Sequence, residues 1–297
     1  MAYDLQEKLV IAISSRALFD LEDENRLFDK QGLEQYYHYQ IQKESKILKP
    51  GSAFGFIKNF LEINKKFDEK LIEVIILSRN NAATGLRIRK SIDYYGLDID
   101  RAGWSAGEPI SKYLKAFSVD LFLSAHEEDV QASIDAGIAA ARIIPKRYRK
   151  KDKSRIVRIA FDGDAVLFSD ESEKIYKDKG LKAFLKHEKK NAKNPLPKGP
   201  FAKLLKVISS IQEKFPMEES PIRTALITAR NFTTFERVIC TFEAWSVRVD
   251  EAFFLGGVEK SEVVKSFDAD IFFDDQDVHL DSVSRDTPSA KVPYIKS

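Results

Sequence analysis

The chain contains 297 residues, which is enough to bury a large hydrophobic core and to form two domains of ordinary size. Its 48 basic residues nearly balance its 46 acidic ones, so the net charge of +2 excludes a global field that would attract nucleic acid or an anionic membrane. Because the chain has one cysteine, no leader pattern at its start and no apolar stretch near the roughly 20 residues of a membrane span, we expect a cytoplasmic protein without disulfides, nucleic-acid partners or membrane partners.

Six short apolar runs alternate with segments of helical pattern, which is typical of parallel α/β sheets. The predicted strands cover residues 9–13, 74–77, 121–123, 156–161, 224–227 and 271–273. Val263, Val264 and Phe267 share one helical face after Lys260, so a helix is predicted there. Cys240 lies in an apolar segment and is expected to pack in the core as a small hydrophobe.

The long segment between the fourth and fifth predicted strands, residues 172–221, is lysine-rich and helical, with a turn rich in proline and glycine at 194–200. Lys186 and His187 are candidate substrate contacts within it, and a solvated helix face is the alternative. Residues 146–155 carry seven basic residues in ten. We expect a solvated linker there, because nucleic-acid binding would need interleaved aromatic residues and this run has only Tyr148.

Asp162 and Asp164 stand two residues apart directly after the fourth predicted strand. Two carboxylates at a strand end are suited to act as a nucleophile and a proton donor around Mg²⁺, although Asp-Gly-Asp alone is also an ordinary turn. Further polar groups follow in order: Thr228 after the fifth strand, Lys260 after a Gly-Gly turn, and the pair Asp274 and Asp275 after the sixth. Thr228 also suits a helix cap and Lys260 a surface lysine, but the ordered set favours one site at the carboxyl ends of parallel strands.

This ordered set resembles the phosphotransferase signature of the haloacid dehalogenase superfamily: DxDx[TV], a strand-terminal Thr or Ser, a Lys and an acidic pair. The block IAFDGDAVLFSDESE at 159–173 is similar to the cytosolic 5′-nucleotidase type I family. Residues 14–19, 221–224, 271–276 and 292–294 fit that family too, so the resemblance covers nearly the whole chain. It implies an enzyme that uses Mg²⁺ to hydrolyse nucleoside 5′-monophosphates, AMP-like by preference, to nucleoside and phosphate.

The resemblance also implies a role for each polar group. Asp162 attacks phosphorus to form an aspartyl phosphate, and Asp164 protonates the departing ribose oxygen and then deprotonates the water that releases phosphate. The implied ligands of Mg²⁺ are Asp162, the main-chain carbonyl of Asp164, and one of Asp274 or Asp275. The implied contacts of the phosphoryl oxygens are Lys260, the Thr228 hydroxyl and the N–H of Ala229. Arg230 is a further candidate substrate contact, with a structural role as the alternative.

The sequence repeats itself with an offset of roughly 150 residues, and a period this long predicts duplicated domains rather than a solenoid. The matching segments are 9–18 and 156–166, 32–33 and 180–181, 51 and 199, 78–80 and 229–231, 97–100 and 247–250, and 115–123 and 265–273. We therefore expect two tandem Rossmann-like halves with parallel sheets, residues 1–147 and 148–297. The second half is expected to resemble haloacid dehalogenases, with a small helical cap at about 172–221.

The two copies differ where the chemistry is expected. Ser14 and Arg16 stand opposite Asp162 and Asp164, Leu77 opposite Thr228, Ile110 opposite Lys260, and Ser124 and Ala125 opposite Asp274 and Asp275. The first half is therefore predicted to be non-catalytic, because a serine and an arginine do not replace two carboxylates as metal ligands. Arg16 is a candidate contact for a nucleotide effector, and an ion pair is its alternative.

Two other functions stay open at this stage. A phosphatase for another small phosphomonoester, such as a sugar phosphate, would use the same phosphate site, and a nucleotide-binding sensor would use the paired domains for regulation. The 21 phenylalanines offer many stacking surfaces, but no sequence pattern singles out a contact to the base. The expected partner is a small-molecule nucleotide, and a homo-oligomer is left open.

Overall fold

The computed structural model describes residues 3–67, 69–146, 148 and 156–295. The strands in this part of the chain are β1 (Leu9–Ile13), β2 (Phe19–Asp20), β3 (Lys49–Pro50), β4 (Ile72–Ser78), β5 (Arg101–Trp104), β6 (Leu121–Ser124), β7 (Ala139–Ile143), β8 (Val157–Phe161), β9 (Ile222–Thr228), β10 (Glu251–Phe254), β11 (Ile271–Asp274) and β12 (Ser289–Lys291). The helices are α1 (Ser15–Leu18), α2 (Glu22–Gln42), α3 (Phe54–Asn64), α4 (Ala82–Tyr95), α5 (Ser111–Leu114), α6 (Glu127–Asp135), α7 (Glu171–Lys190), α8 (Ala202–Gln212), α9 (Phe235–Trp245), α10 (Ser261–Ser266) and α11 (Asp277–Val283). Most of the predicted basic linker at 146–155 lies outside the described residues.

Ten strands form one large sheet in the order β10-β9-β8-β11-β12-β7-β6-β1-β4-β5. Neighbouring strands run parallel throughout, except for β7 and β12 at the centre, which pair antiparallel with Ala290 opposite Ile143. The predicted mainly parallel α/β class is therefore confirmed. Strands β1 and β4 are buried at every position, which explains why they appear in the sequence as continuous apolar runs.

The central antiparallel pair fixes where strand ends meet. From the outside inward, the strand orders are β5-β4-β1-β6-β7 on one side and β10-β9-β8-β11-β12 on the other. Because β7 and β12 run in opposite directions, the carboxyl ends of β1, β4 and β6 lie at one margin of the sheet and those of β8, β9 and β11 at the opposite margin. Each side therefore has its own set of strand ends, and the two sets are remote from each other.

All six predicted strands are present, and four strands of the large sheet lie outside the prediction. Strands β5 and β10 are edge strands whose residues are partly exposed, so they lack a continuous apolar run. Strands β7 and β12, which join the two sides, are an alanine-rich segment and a three-residue segment. Short strands of weak pattern gain their stability from pairing with neighbours, which a local sequence reading does not see.

The predicted helical segment at 172–221 contains two helices with different surroundings. Helix α7 is interrupted at Gly180, whose φ of 74° lies in the left-handed region, and Gly32 interrupts α2 in the same way with a φ of 79°. Helix α8 instead packs in the hydrophobic core through Leu204, Leu205 and Ile208. Helix α8 therefore belongs to the layer that covers the sheet, and α7 lies against the segments that follow β8 and β9, residues 163–167 and 232–234.

Cys240 does not pack as predicted. The buried face of α9 is formed by Val238, Thr241 and Phe242, which follow the spacing of an amphipathic helix. Cys240 falls beside that face, is partly buried, and directs its thiol to the carbonyl oxygen of Lys193 at 3.3 Å.

None of the helices in the described ranges is long and apolar enough to cross a membrane.

Candidate active site

The predicted site residues meet at the margin formed by β8, β9 and β11. Asp162 follows β8, Thr228 is the last residue of β9, and Asp274 is the last residue of β11. Carboxylate oxygens of Asp162, Asp274 and Asp275 all lie within 4.8 Å of one another, and the three side chains are buried. The structure thus brings together groups that are more than 100 residues apart in the chain, as the order of motifs predicted.

Lys260 lies at the centre of this cluster, immediately before α10. Its Nζ atom is 2.9 Å from Asp162 Oδ1 and 2.6 Å from Asp274 Oδ2, and its side chain is completely buried. Burial alone would lower the pKa of Lys260, but the two carboxylates outweigh burial and raise it above its usual value. The alternative of a surface lysine is therefore wrong, and the site holds a permanent positive charge.

One ammonium group does not balance three carboxylates. Burial raises the pKa of Asp162 to about 7, with Lys260 opposing the shift and Asp274 adding to it. Burial and the nearby Asp162 charge raise the pKa of Asp275 to about 8, and Oδ1 of Asp275 is buried without a hydrogen-bond partner among the described residues. A buried set of hard oxygen donors with one unpaired oxygen fits a divalent cation such as Mg²⁺.

Asp164 occupies a different environment from Asp162. Its carboxylate accepts two hydrogen bonds from Arg230, Nε to Oδ2 at 2.8 Å and Nη2 to Oδ1 at 2.7 Å. The third arm of the same guanidinium donates to Glu188 at 2.5 Å, and Arg230 is buried. The structure therefore places Arg230 against the second aspartate of the motif, with all three of its nitrogen atoms engaged by carboxylates.

Glu188, on α7, is a site-supporting residue that sequence reasoning missed. Its carboxylate accepts from Arg230, from Arg237 at 2.6 Å and from the Ser172 hydroxyl at 2.8 Å. Burial raises the pKa of Glu188, but Arg230, Ser172 and Arg237 outweigh burial and hold that pKa below its usual value. These contacts fix α7 over Asp164. In the sequence Glu188 is one acid in a lysine-rich helix, and only its buried position distinguishes it.

Thr228 and the turn after Asp162 pack closely together. Gly163 donates its N–H to Asp162 Oδ1 at 2.7 Å, and a Cβ atom at Gly163 would lie only 3.2 Å from Thr228 Oγ1. The buried Thr228 hydroxyl accepts the N–H of Arg230 at 3.2 Å, whereas Ala229 is exposed between them. The glycine in Asp-Gly-Asp therefore allows the first aspartate and the threonine to approach each other.

Tyr294 completes the cluster from the far end of the chain. Its hydroxyl donates to Asp275 Oδ2 and lies 3.2 Å from Glu173 Oε2. In the sequence the Val-Pro-Tyr tripeptide carried only part of a family resemblance, and nothing marked its hydroxyl for this contact. Of the two candidate contacts on α7, Lys186 is exposed and His187 lies 3.4 Å from Glu171.

At the ends of β1, β4 and β6, the structure corrects one match of the internal sequence repeat. Ser78 pairs with Trp104 as Thr228 pairs with Phe254, so Ser78 stands opposite Thr228. The predicted match of Thr228 with Leu77 is therefore wrong by one residue, because the repeat offset is 150 rather than 151 at this strand, and a hydroxyl is retained. Arg16 forms an ion pair with Glu22 at 2.8 Å.

The fold and the site define an α/β protein with a buried acidic centre at the carboxyl ends of its strands, suited to bind a divalent cation. The chain belongs to the 5′-nucleotidase family, whose family model, described as 5′-nucleotidase, matches residues 1–297. It is 36% identical over 288 residues to cytosolic 5′-nucleotidase 1B of Homo sapiens, an alignment that covers 93% of this chain and 47% of that protein. The chain thus spans about half the length of this curated relative. No solved structure matches it.

Proposed function

We propose that the protein hydrolyses nucleoside 5′-monophosphates, AMP-like by preference, to nucleoside and phosphate in the cytosol. The observation that carries this proposal is the buried cluster of Asp162, Asp274 and Asp275 around Lys260. Membership of the 5′-nucleotidase family supports the substrate class, and the name of the human relative supports the compartment. Hydrolysis of a phosphate monoester is among the slowest uncatalysed reactions. A catalyst for it therefore needs several charged groups close to the phosphate, as this cluster provides.

A fold proposal accompanies this function. We infer that the two halves, residues 1–147 and 148–297, arose by duplication, and that the second half is a haloacid-dehalogenase-like domain with α7 as its cap. Both sides of the sheet have the same strand order, and both carry a long helix interrupted at a glycine with positive φ, Gly32 or Gly180. These shared features support the inference, because independent halves would have no reason to repeat them.

Asp162 is assigned as the nucleophile. Its Oδ1 atom is held by the Gly163 N–H at 2.7 Å and by Lys260 at 2.9 Å, so we assign the attack on phosphorus to Oδ2. Attack forms the aspartyl phosphate and breaks the bond from phosphorus to the ribose oxygen. Lys260 lowers the pKa of Asp162 and thereby favours the carboxylate that attack requires.

Asp164 is assigned as the proton donor to the ribose oxygen and then as the base that activates water. In the structure both of its carboxylate oxygens accept hydrogen bonds from Arg230, so neither is free to contact a ribose oxygen. We therefore propose that Asp164 exchanges Arg230 for the substrate before the proton moves. Glu188 would keep hold of Arg230 after the exchange, since it is bonded to a separate arm of the guanidinium.

The acidic cluster would hold Mg²⁺ through Asp162, the main-chain carbonyl of Asp164, and one of Asp274 or Asp275. When bound, the cation neutralises charge that would otherwise repel the attacking carboxylate. Lys260 and the Thr228 hydroxyl would bind phosphoryl oxygens, together with the N–H of Ala229, an exposed residue. Arg230 would reach the phosphate or ribose only after it leaves Asp164.

Substrate choice is assigned to α7. Tyr176 and Phe184 on this helix form an edge-to-face ring pair with centroids 6.2 Å apart, and the Arg230 guanidinium lies 5.5 Å from the Phe184 ring. The ring pair is thereby linked to Asp164 through Arg230. Tyr176 is 52% exposed, so it offers an aromatic face to a planar base.

A release assay tests the proposal. Phosphate would be measured from the common nucleoside 5′-monophosphates, sugar phosphates and an aryl phosphate, with Mg²⁺ and with EDTA. We expect turnover of nucleotides, loss of turnover in EDTA and recovery on addition of Mg²⁺, with the Asp162→Asn protein as the blank. Turnover of sugar phosphates alone would replace the nucleotidase by a sugar-phosphate phosphatase. Binding of nucleotides without release from any substrate would favour a sensor.

A further inference from the structure

A cavity of about 340 Å³ opens at the carboxyl ends of β1, β4 and β6, in the half without the acidic cluster. Its lining includes Ser14 after β1, Ser78 at the end of β4 and Ser124 at the end of β6. Open α/β sheets bind ligands at such strand ends, and this volume is in the range of small-molecule sites. Because β7 and β12 pair antiparallel, the cavity lies at the margin opposite the candidate active site and is a separate site.

The lining has lost the charges that mark the other margin. Ser14, Ser124 and Ile110 occupy the places of Asp162, Asp274 and Lys260, so neither the carboxylates nor the buried lysine are present. The charged side chains that do line the cavity are each engaged in an ion pair: Arg16 with Glu22, Arg79 with Asp129, and Glu24 with Arg87. Burial and the nearby Arg79 lower the pKa of His126, so its imidazole is neutral at pH 7. The cavity therefore suits an uncharged ligand.

Polar donors and acceptors remain on one part of the wall. The hydroxyls of Ser15 and Ser78 lie 2.9 Å apart, and the Asn80 amide is 3.4 Å from Ser15 Oγ. Tyr36 donates its hydroxyl to Asn80 Oδ1 at 3.2 Å and accepts a hydrogen bond from Gln40 at 3.0 Å. Such a cluster of hydroxyl and amide groups matches the hydroxyls of a sugar.

Aromatic and apolar groups form another part of the wall. Phe28 and Tyr36 make an edge-to-face pair with centroids 5.9 Å apart at 86°, one ring on each side of the Gly32 interruption in α2. Tyr176 and Phe184 make the same pair on α7, with centroids 6.2 Å apart at 85°. Phe28 is 43% exposed although it lines the cavity, so its ring is accessible to a planar heterocycle.

We propose that this cavity is a second binding site and that its ligand is an uncharged nucleoside. The base would stack on Phe28 and Tyr36, and the ribose hydroxyls would bond to the serine and asparagine side chains. A 5′-phosphate would add nothing to affinity at this site, because the arginines that line it are already paired with carboxylates. The site would respond to the neutral product of the proposed reaction rather than to its substrate.

The test uses the full chain carrying Asp162→Asn, so that nucleotides are not consumed. Calorimetry would measure binding of the four ribonucleosides, the matching free bases, ribose, AMP and inorganic phosphate. We expect at least one nucleoside to bind, and Phe28→Ala to weaken that binding about tenfold or more, as expected for loss of a base–aromatic stack. Tyr176→Ala, the geometrically matched change at the other margin, should leave it unchanged. Asn80→Ala is a second variant within the cavity and should also weaken binding. Thermal unfolding would verify that each variant is folded.

Three results would overturn the proposal. The first is no binding of any nucleoside up to roughly 1 mM, the weakest affinity that would count as a site. The second is binding that survives both Phe28→Ala and Asn80→Ala but is lost in Tyr176→Ala, which would assign the nucleoside to the candidate active site. The third is binding of AMP about tenfold tighter than the nucleoside with the same dependence on Phe28, which would make the ligand a nucleotide.

Discussion

The two margins of the sheet solve the same packing problem with opposite chemistry. One margin buries Asp162, Asp274 and Asp275 around Lys260, whereas the other has Ser14, Ser124, Ala125 and Ile110 at the equivalent positions. Breaking a buried ion pair by removing one partner costs about 3 to 5 kcal/mol, whereas replacing the whole set with well-packed uncharged residues of similar volume is often neutral or stabilising. The comparison indicates that the three carboxylates and the lysine act as one unit: one margin has all four charged groups, and the other has none of them.

The largest expected effect separates the two margins by activity. Asp162→Asn removes the assigned nucleophile, so phosphate release should fall by about 10⁴-fold or more, a loss typical of a catalytic nucleophile. Ser14→Ala is the matched control and should change release less than about twofold, since it touches neither a carboxylate nor the proposed metal ligands. If Ser14→Ala lost activity as completely as Asp162→Asn, the assignment of chemistry to one margin would be wrong.

The next effect tests whether the charges act as a unit. Lys260→Ile leaves Asp162 and Asp274 buried without their cation and should lower the free energy of unfolding by about 3 to 5 kcal/mol at pH 8. Ile110→Lys, its mirror image, buries an ammonium beside Asp129, whose carboxylate is already paired with Arg79, and should cost a similar amount. The triple variant Lys260→Ile, Asp162→Ser, Asp274→Ser has the residue types found at the equivalent positions of the other margin. It should recover most of the lost free energy of unfolding. Urea unfolding at matched pH measures all three.

The pH dependence of Lys260→Ile has a definite sign. Lys260 lowers the pKa of Asp162, which is nevertheless raised to about 7, so without the lysine that pKa rises further. An acid whose folded pKa exceeds its unfolded value is most stabilising when protonated, and this stability is lost as pH rises above the unfolded pKa of about 4. The deficit of Lys260→Ile relative to the parent should therefore be smaller at pH 5 than at pH 8. A deficit that is constant over this range would contradict the electrostatic explanation.

A third effect distinguishes the two aspartates of the motif. Asp164→Asn removes the assigned proton donor, so release from AMP should fall by about 10² to 10⁴-fold, the usual contribution of general acid–base catalysis. An aryl phosphate has a leaving group that needs little protonation, so its loss should be much smaller. Equal losses on both substrates would show that Asp164 acts through its ion pair with Arg230 rather than as the acid.

Sequence reasoning found the groups that end strands and missed those that support them. Asp162, Thr228 and Asp274 could be predicted because an apolar run ends at each, and parallel strands bring their carboxyl ends together. Glu188 and Tyr294 could not be predicted, because their roles depend on how a helix and a terminal segment fold back onto the strand ends. The joining of both sides into one sheet was also missed, since it depends on β7 and β12, whose pattern is weak.

A smaller effect concerns the support of the acidic centre. Tyr294→Phe removes the hydroxyl that donates to Asp275, and this hydrogen bond lowers the pKa of that carboxyl. The variant should bind Mg²⁺ about tenfold more weakly at pH 7, the lower end of the range for partners of metal ligands. Tyr36→Phe at the other margin is the matched control and should leave Mg²⁺ affinity unchanged. Equal affinity in Tyr294→Phe and the parent would remove Tyr294 from the description of the site.

The smallest effect is expected at Arg16, which the internal repeat places opposite Asp164. Arg16 and Glu22 form an ion pair whose side chains are 23% and 39% exposed, and such pairs contribute about 0 to 1 kcal/mol to stability. Arg16→Ala should therefore change neither the unfolding free energy by more than about 1 kcal/mol nor basal phosphate release. It should also leave nucleoside binding in the neutral cavity intact, since the proposed ligand carries no charge for the arginine to meet. If Arg16→Ala instead abolished activation by an added nucleotide, the cavity at the ends of β1, β4 and β6 would be an anion-binding site. Both margins would then bind charged ligands, and they would differ only in which ligand each binds.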